Sequence, residues 1–264
     1  MRAVDVTADV VDKYIAAQVK RGKANTTINR GVQILSATLK LACRRGKLAT
    51  MPIIRKLSEA NNVRRVFWTA EQYEKAVQAC PHYLKDALRF SHLLGWRKGE
   101  VVSLRWEWIN AVECTLTLPD SKNGRGRVVA IVGELKEILA RREAARLVET
   151  ADGTVTLAEH IFHRRGAPLG DFKRAWEAAR IEAGLAVRVP DPSKKGRTRL
   201  VSDVTFHDLR RTAVRNLDRS GVRRDVAKSI TGHKTDLMYS RYNISSTDDV
   251  REAIEAVSAR RADS

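Results

Sequence analysis

Four short stretches carry side chains suited to acting on a phosphate ester: "GWRKGE" at 95–100, "SKNGRGR" at 121–127, "FHDLRRT" at 206–212 and "TGHKTDLMYSRY" at 231–242. In chain order they supply Arg97, Lys122, His207 with Arg210, and then His233 followed by Tyr239 and Tyr242. Phosphoryl transfer draws on this inventory. Two arginines can hold non-bridging oxygens bidentately and neutralise charge that builds in the transition state. A lysine or histidine can protonate a leaving alkoxide, another histidine can accept the attacking proton, and a phenol can form a covalent phosphoester. No carboxylate pair of the kind that holds Mg²⁺ accompanies them, so the arginines would take the metal's role. Each residue taken alone has a plainer reading. A single arginine or lysine among 49 is ordinarily surface, "KNGRGR" could be a solvated turn, His207 could cap a helix, and Arg210 could form an ion pair one turn later. The order in which they occur is what carries weight.

The chain must then meet a polyanion. Its 264 residues hold 49 Lys and Arg against 31 Asp and Glu, a net charge of +18 with a pI near 10.3. Residues 1–66 alone hold 14 basic and 4 acidic side chains. Such a balance points to nucleic acid. No run reaches the roughly 18 to 20 apolar residues of a membrane span, and "MRAVDVTADVVDKY" lacks the apolar block of a signal peptide, so a cytoplasmic protein is expected. Cys43, Cys80 and Cys114 are too far apart for a metal motif and read as small buried hydrophobes. His160 and His163 lack the partners of a zinc site, and no metal or cofactor is expected.

The elements that would position these residues follow from periodicity. Two helices fit the first sixty residues. In the second, Ile28, Val32, Leu35, Leu39 and Ala42 form an apolar stripe, while Arg30, Lys40, Arg44 and Arg45 lie off it and are free to meet phosphate. "GKLATMP" ends that element, and the polar stretch 52–66 reads as a linker between a small helical domain at 1–51 and a larger one at 67–264. In the larger domain "TAEQ" at 69–72 has the form of a capping box, and a helix after Pro81 runs to a C-cap at Gly95. A further helix starts near Arg97, where the dipole disfavours a cation, so Arg97 has another task. "CTLTL" and "RVVAIV" alternate as a β-hairpin around the turn that bears Lys122. Helical patterns return at 134–148, 170–183, 207–219, 222–230 and around 235–242, and an amphipathic segment follows from Thr247.

In this order the motifs resemble the catalytic domain of the tyrosine recombinase (phage integrase) family. "LLGWRKGEVVSLRW" is similar to its first arginine box, with Arg97 catalytic and Glu100 supporting; "SKNGRGRVVAI" resembles the hairpin with the catalytic lysine, Lys122; and "HDLRRT" resembles the His-x-x-Arg box, His207 and Arg210. "TGHKTDLMYSRY" is similar to the last box, in which His233 precedes the nucleophile, Tyr242, by nine residues. Trp96 stands where a small aliphatic residue is more usual and is expected to pack locally. "TTINRGVQILSATLKLACRRGKL" resembles the end of the core DNA-binding domain; beside the family's usual pattern a shortened core domain without an arm-type domain is expected, the chain being either a fragment or a minimal member.

The resemblance implies a mainly α fold with a small antiparallel sheet, two domains closing on double-stranded DNA, and metal-independent strand cleavage and rejoining through a 3'-phosphotyrosyl intermediate. It implies a tetramer on DNA, with a directionality factor or host DNA-bending protein as further partners. An integrase of a phage or other mobile element is the first expectation. A chromosome-dimer resolvase of the same family and a catalytically inactive DNA-binding regulator are the alternatives, and a type IB topoisomerase shares the chemistry.

Overall fold

The computed structural model describes residues 2–59, 66–119, 126–149, 153–192 and 196–240, with Arg251, Ile254, Glu255 and Ser258 near the C-terminus. The chain divides into two compact units, Met1–Arg64 and Arg65–Ser264.

The first unit is a helical pair, α1 (Ala8–Lys20) and α2 (Asn25–Arg44). Thr7 caps α1 by accepting the Val10 N–H. Val11 and Ile15 of α1 meet Ile28 and Val32 of α2 in a small core, with Leu35, Ile54 and Leu57 against it. The basic side chains of Arg30, Lys40, Arg44 and Arg45 are all exposed, off the apolar stripe. The start of the stretch read above as a linker is bound to this unit. The Asn29 amide donates to the Leu57 carbonyl (2.8 Å) and accepts the Leu57 N–H (2.9 Å), and Asn25 donates to the Ser58 carbonyl (2.8 Å). Backbone outside helix and sheet needs partners of this kind. A polar asparagine on an apolar stripe supplies them, and apolar periodicity does not register it.

The second unit is built around α4 (His82–Leu94), which follows α3 (Ala70–Ala79) and precedes the short α5 (Lys98–Val102). The capping box at Thr69 and Gln72 forms as the sequence predicts, with both bonds at 3.1 Å. Leu84, Ala87, Leu88 and Phe90 of α4 are completely buried, so this helix is the centre of the core, not its edge. Each such leucine or phenylalanine contributes about 1.5–3 kcal/mol. Next comes an antiparallel sheet of β1 (Ile109–Asn110), β2 (Thr115–Leu118) and β3 (Arg127–Ala130), in which Leu118 pairs with Arg127. Helix α6 (Gly133–Ala144) packs on α4.

Six strand segments then appear that periodicity does not announce: β4 (Leu147–Glu149) with β5 (Val155–Leu157), β6 (His163–Arg164) with β7 (Ala167–Pro168), and, after α7 (Lys173–Glu182), β8 (Ala186–Pro190) with β9 (Thr198–Ser202). They are short two-stranded ladders with mostly exposed side chains, so no buried face imposes alternation. Pairing of residues 147–149 with 155–157 also explains why the helix expected to reach 148 stops at Ala144. The unit closes with α8 (Phe206–Arg219), α9 (Arg224–Thr231) and α10 (Asp236–Ser240).

Of the cysteines only Cys80 is buried; Cys43 is half-buried and Cys114 is exposed at positive φ in the turn before β2. Among the described residues no helix is long and apolar enough to cross a membrane, and no group of three His, Cys, Asp or Glu side chains could hold a metal ion.

Candidate active site

Helix α4 ends at Gly95 in the left-handed conformation (φ 65°), where a Cβ would lie 3.0 Å from the Cβ of Ala213 on α8. The chain turns there and Arg97 becomes the N-cap of α5. Glu100 at the third helical position accepts the Arg97 N–H and the Arg97 guanidinium, each at 2.8 Å. An acidic residue suits a helix N-terminus, and here it also fixes the arginine. Burial alone would raise the Glu100 carboxyl, but donors from Arg97 and Arg127 hold it below the usual carboxylate range. Glu100 is therefore ionised, and Arg97 remains partly open to solvent.

Leu209, Arg210, Ala213 and Val214 form the buried face of α8, which is why Arg210 is only 2% exposed. Its Nη1 donates to the carbonyls of Gly95 and Thr231, both at 2.6 Å, and its Nη2 lies 2.9 Å from His233 Nε2. Gly95 and Thr231 stand at the C-terminal ends of α4 and α9, where helices present carbonyls without intrahelical donors. One guanidinium thus joins two helix ends.

These contacts fix the state of His233. A guanidinium can only donate, so Nε2 accepts and the imidazole proton sits on Nδ1. Nδ1 is 2.8 Å from Thr231 Oγ1, whose own proton goes to the Ala227 carbonyl at 2.7 Å. Burial, followed by the charges of Arg210, Arg97 and Arg127, pushes the His233 pKa down to about 3. His233 is neutral at physiological pH and holds Arg210 in place.

His207 is the second residue of α8 and does not cap it. The helix start is capped through Asp208, which accepts from the Thr205 N–H and hydroxyl at 2.8 Å. His207 is exposed, and its pKa is lowered by partial desolvation and then by Arg210 and Arg211.

The structure therefore brings Arg97, Glu100, Arg210 and His233 into one network, with His207 within its electrostatic reach. Lys122 and Tyr242 lie outside the described residues. Tyr239 is completely buried, edge-on to the His233 ring at 5.6 Å, and its hydroxyl has no hydrogen-bond partner among the described residues. Burial, then Asp218, raises its pKa. Tyr239 is a packing aromatic.

One member of the network, Arg127, was not singled out from sequence. Arg127 pairs with Glu100 Oε2 at 2.6 Å and donates to the Thr231 carbonyl at 2.9 Å. Its signal was its parity: in β3 it shares the buried side with Val129, an unusual position for an arginine. Trp96 packs locally as expected, edge-on to Phe90 with ring centroids 5.3 Å apart, and also reaches across the fold, its indole N–H donating to the Ile230 carbonyl (2.7 Å) at the end of α9. Among the described residues of the network three guanidiniums, those of Arg97, Arg127 and Arg210, face one carboxylate and a neutral imidazole, leaving these five side chains cationic by two.

The model of the phage integrase family matches residues 66–248, a span that takes in all four motif stretches. The chain belongs to the phage integrase family. Within the family it is 25% identical over 245 residues to the integrase of Enterobacteria phage 434, covering 90% of this chain and 63% of that one. It is equally identical to the integrase of Escherichia phage lambda, with the same coverage. The chain thus spans less than two thirds of the length of these relatives.

Solved structures share its fold. A lambda integrase dimer bound to a COC' core site superposes with a TM-score of 0.69 at 24% identity, covering 91% of this chain and 65% of that one. The Tn1549 transposon integrase in complex with circular intermediate DNA gives 0.71 at 17% identity, covering 96% and 86%. The mainly helical fold expected from the sequence is the one observed, with its small antiparallel sheet joined by three two-stranded ladders.

Proposed function

We propose that this protein is a site-specific DNA recombinase of the integrase type, cleaving and rejoining DNA through a phosphotyrosyl intermediate on Tyr242. The observation that carries the reading is the preassembled cationic network: Arg97 held by Glu100 and Arg210 held by two helix ends and a neutral His233. A pentacoordinate phosphorane carries one more negative charge than the diester from which it forms. Fixed guanidiniums stabilise that added charge with little reorganisation.

In the reaction, the Tyr242 oxygen attacks the scissile phosphorus as the bond to the 5'-oxygen breaks. The 3'-phosphate is then esterified to the tyrosine. His207, the exposed histidine, takes the phenolic proton, and Lys122 protonates the departing 5'-oxygen. Attack by the 5'-hydroxyl of a partner strand reverses each step and frees the tyrosine. The ester retains the bond energy, so no nucleotide is consumed. The exposed Arg30, Lys40, Arg44 and Arg45 of α2 contact the DNA backbone. A lambda integrase tetramer bound to a Holliday junction, 25% identical with a TM-score of 0.66, supports a tetramer as the working assembly.

The test is covalent trapping on a nicked duplex in the presence of EDTA. Wild type and Tyr239→Phe should form a protein–DNA adduct, and peptide mapping should locate it at Tyr242. Tyr242→Phe should bind the same DNA and give none. An adduct on Tyr239, or no adduct from wild type on any cognate site, would overturn the proposal.

A further inference from the structure

We infer that Arg127 is a positioning residue that braces three separate segments of the site into one geometry, an inference that rests on the recombinase reading above. Its guanidinium touches two of them directly. Glu100 Oε2, at 2.6 Å, belongs to the carboxylate that holds Arg97. The Thr231 carbonyl, at 2.9 Å, is the same oxygen that accepts from Arg210. The third segment is β3 itself, the strand that carries Arg127, five residues after Lys122 in the chain. The guanidinium also lies over the Trp96 ring, 4.8 Å from its centroid, and Trp96 in turn is tied to the Ile230 carbonyl.

The fit leaves no slack. Gly232 adopts φ 71°, and a Cβ there would overlap the Arg127 guanidinium, so glycine is required both by the turn and by the arginine. Thr231 and Gly232 lead directly into His233, so whatever fixes them fixes the imidazole that holds Arg210.

A buried arginine is an expensive way to fill a core. At an inward position of β3, beside Val129 and opposite Leu118, a leucine would pack without desolvating a charge. A planar fork is the side chain that can bridge a carboxylate and a helix-terminal carbonyl at fixed angles. At 8% exposure Arg127 is enclosed by these partners, and it acts through Glu100 and Thr231.

Three variants separate bracing from simple core stability: Arg127→Lys, Arg127→Ala and Gly232→Ala. Each is first checked for folding by tryptophan fluorescence. Folded Arg127→Lys keeps the charge but not the fork, so it should bind DNA within about threefold of wild type. Its single-turnover cleavage should fall roughly 10- to 100-fold, the scale of a misplacement near 1 Å. In Arg127→Ala, Glu100 is without a donor that holds its carboxyl low, so the acid limb of the pH–rate profile should move toward neutral pH. Ethylguanidinium at millimolar concentration should restore part of the rate, and urea should not. Arg127→Ala combined with Gly232→Ala should cost less than the two single effects together, because both disturb the same guanidinium.

An NMR titration of His233 in the free protein reports on the brace without any reaction: its pKa should rise in Arg127→Lys, which keeps the cation, as well as in Arg127→Ala, where loss of the charge contributes by itself. Normal cleavage by Arg127→Ala with an unshifted acid limb and an unmoved His233 titration would overturn the inference. A His233 titration moved in Arg127→Lys, in a protein whose wild type never cleaves DNA, would support the brace and overturn the recombinase reading instead. If Arg127→Ala does not fold, Arg127→Lys and Gly232→Ala decide: unchanged cleavage in both refutes the inference.

Discussion

Replacing His233 by asparagine should flatten the acid dependence of stability in the catalytic unit. The folded imidazole has its pKa pushed down to about 3, against an ordinary value near 6.5. Below pH 6.5 the unfolded chain binds a proton that the folded chain refuses, so stability from this group is complete above that pH and is lost as pH falls toward 3. At pH 5 the loss has reached roughly 1.5 pH units, or about 2 kcal/mol at about 1.4 kcal/mol per unit. His92, with its pKa lowered by burial to about 4, contributes with the same sign, so the informative quantity is a difference. His233→Asn should be less stable than wild type at pH 7.5, since it forgoes the bonds to Thr231 and Arg210. The gap should narrow by about 2 kcal/mol at pH 5.

The assay is urea unfolding at the two pH values followed by tryptophan fluorescence. The five tryptophans all lie between Trp68 and Trp176, so the signal reports on the second unit alone. Parallel curves for the two proteins would refute the depressed pKa of the folded imidazole. The same reasoning excludes His233 from any inflection in the pH–rate profile above about pH 4.

Tyr239→Phe removes a buried hydroxyl with no partner among the described residues, so urea unfolding should find it as stable as wild type or up to about 1 kcal/mol more stable, with adduct formation intact. A loss of stability above that size, or of the adduct, would show that the hydroxyl has a task. Converting Arg30, Arg44 and Arg45 to alanine should weaken DNA binding and reduce the log–log salt slope by about 0.9 for each phosphate that is no longer neutralised; an unchanged slope would mean that they face away from DNA. Lys122→Ala should slow cleavage by roughly 10² to 10⁴, and a substrate with sulfur at the bridging 5' position should restore it, since that leaving group needs no proton. Failure of the sulfur substrate would make Lys122 a positioning group.

The sequence by itself determined the parts list and its order. Arg97, His207, Arg210 and His233 stood out because their types suit phosphoryl transfer and their order resembles the family's motifs, and folding brings Arg97, Arg210 and His233 into one network. The helices α2, α4 and α8 were legible because each buries an apolar stripe at helical period. Periodicity also separated the arginines of α2 from its core face. It could not register the hairpin from β8 to β9, whose exposed faces impose no alternation, or the return of residues 54–59 onto α2 through Asn29, a polar contact across 28 residues.

Only the tertiary structure showed Tyr239 completely buried, edge-on to the His233 ring. Helical periodicity along the chain does not tell a buried tyrosine from an exposed one, because burial follows from what packs against the ring. The same holds for the roles within the network. Whether His233 donates or accepts depends on the guanidinium opposite it, and whether Arg127 is surface or brace depends on Glu100 and Thr231. Those partners come from segments far apart in the chain, and a pattern read along one segment contains no information about the charge that folding sets beside it.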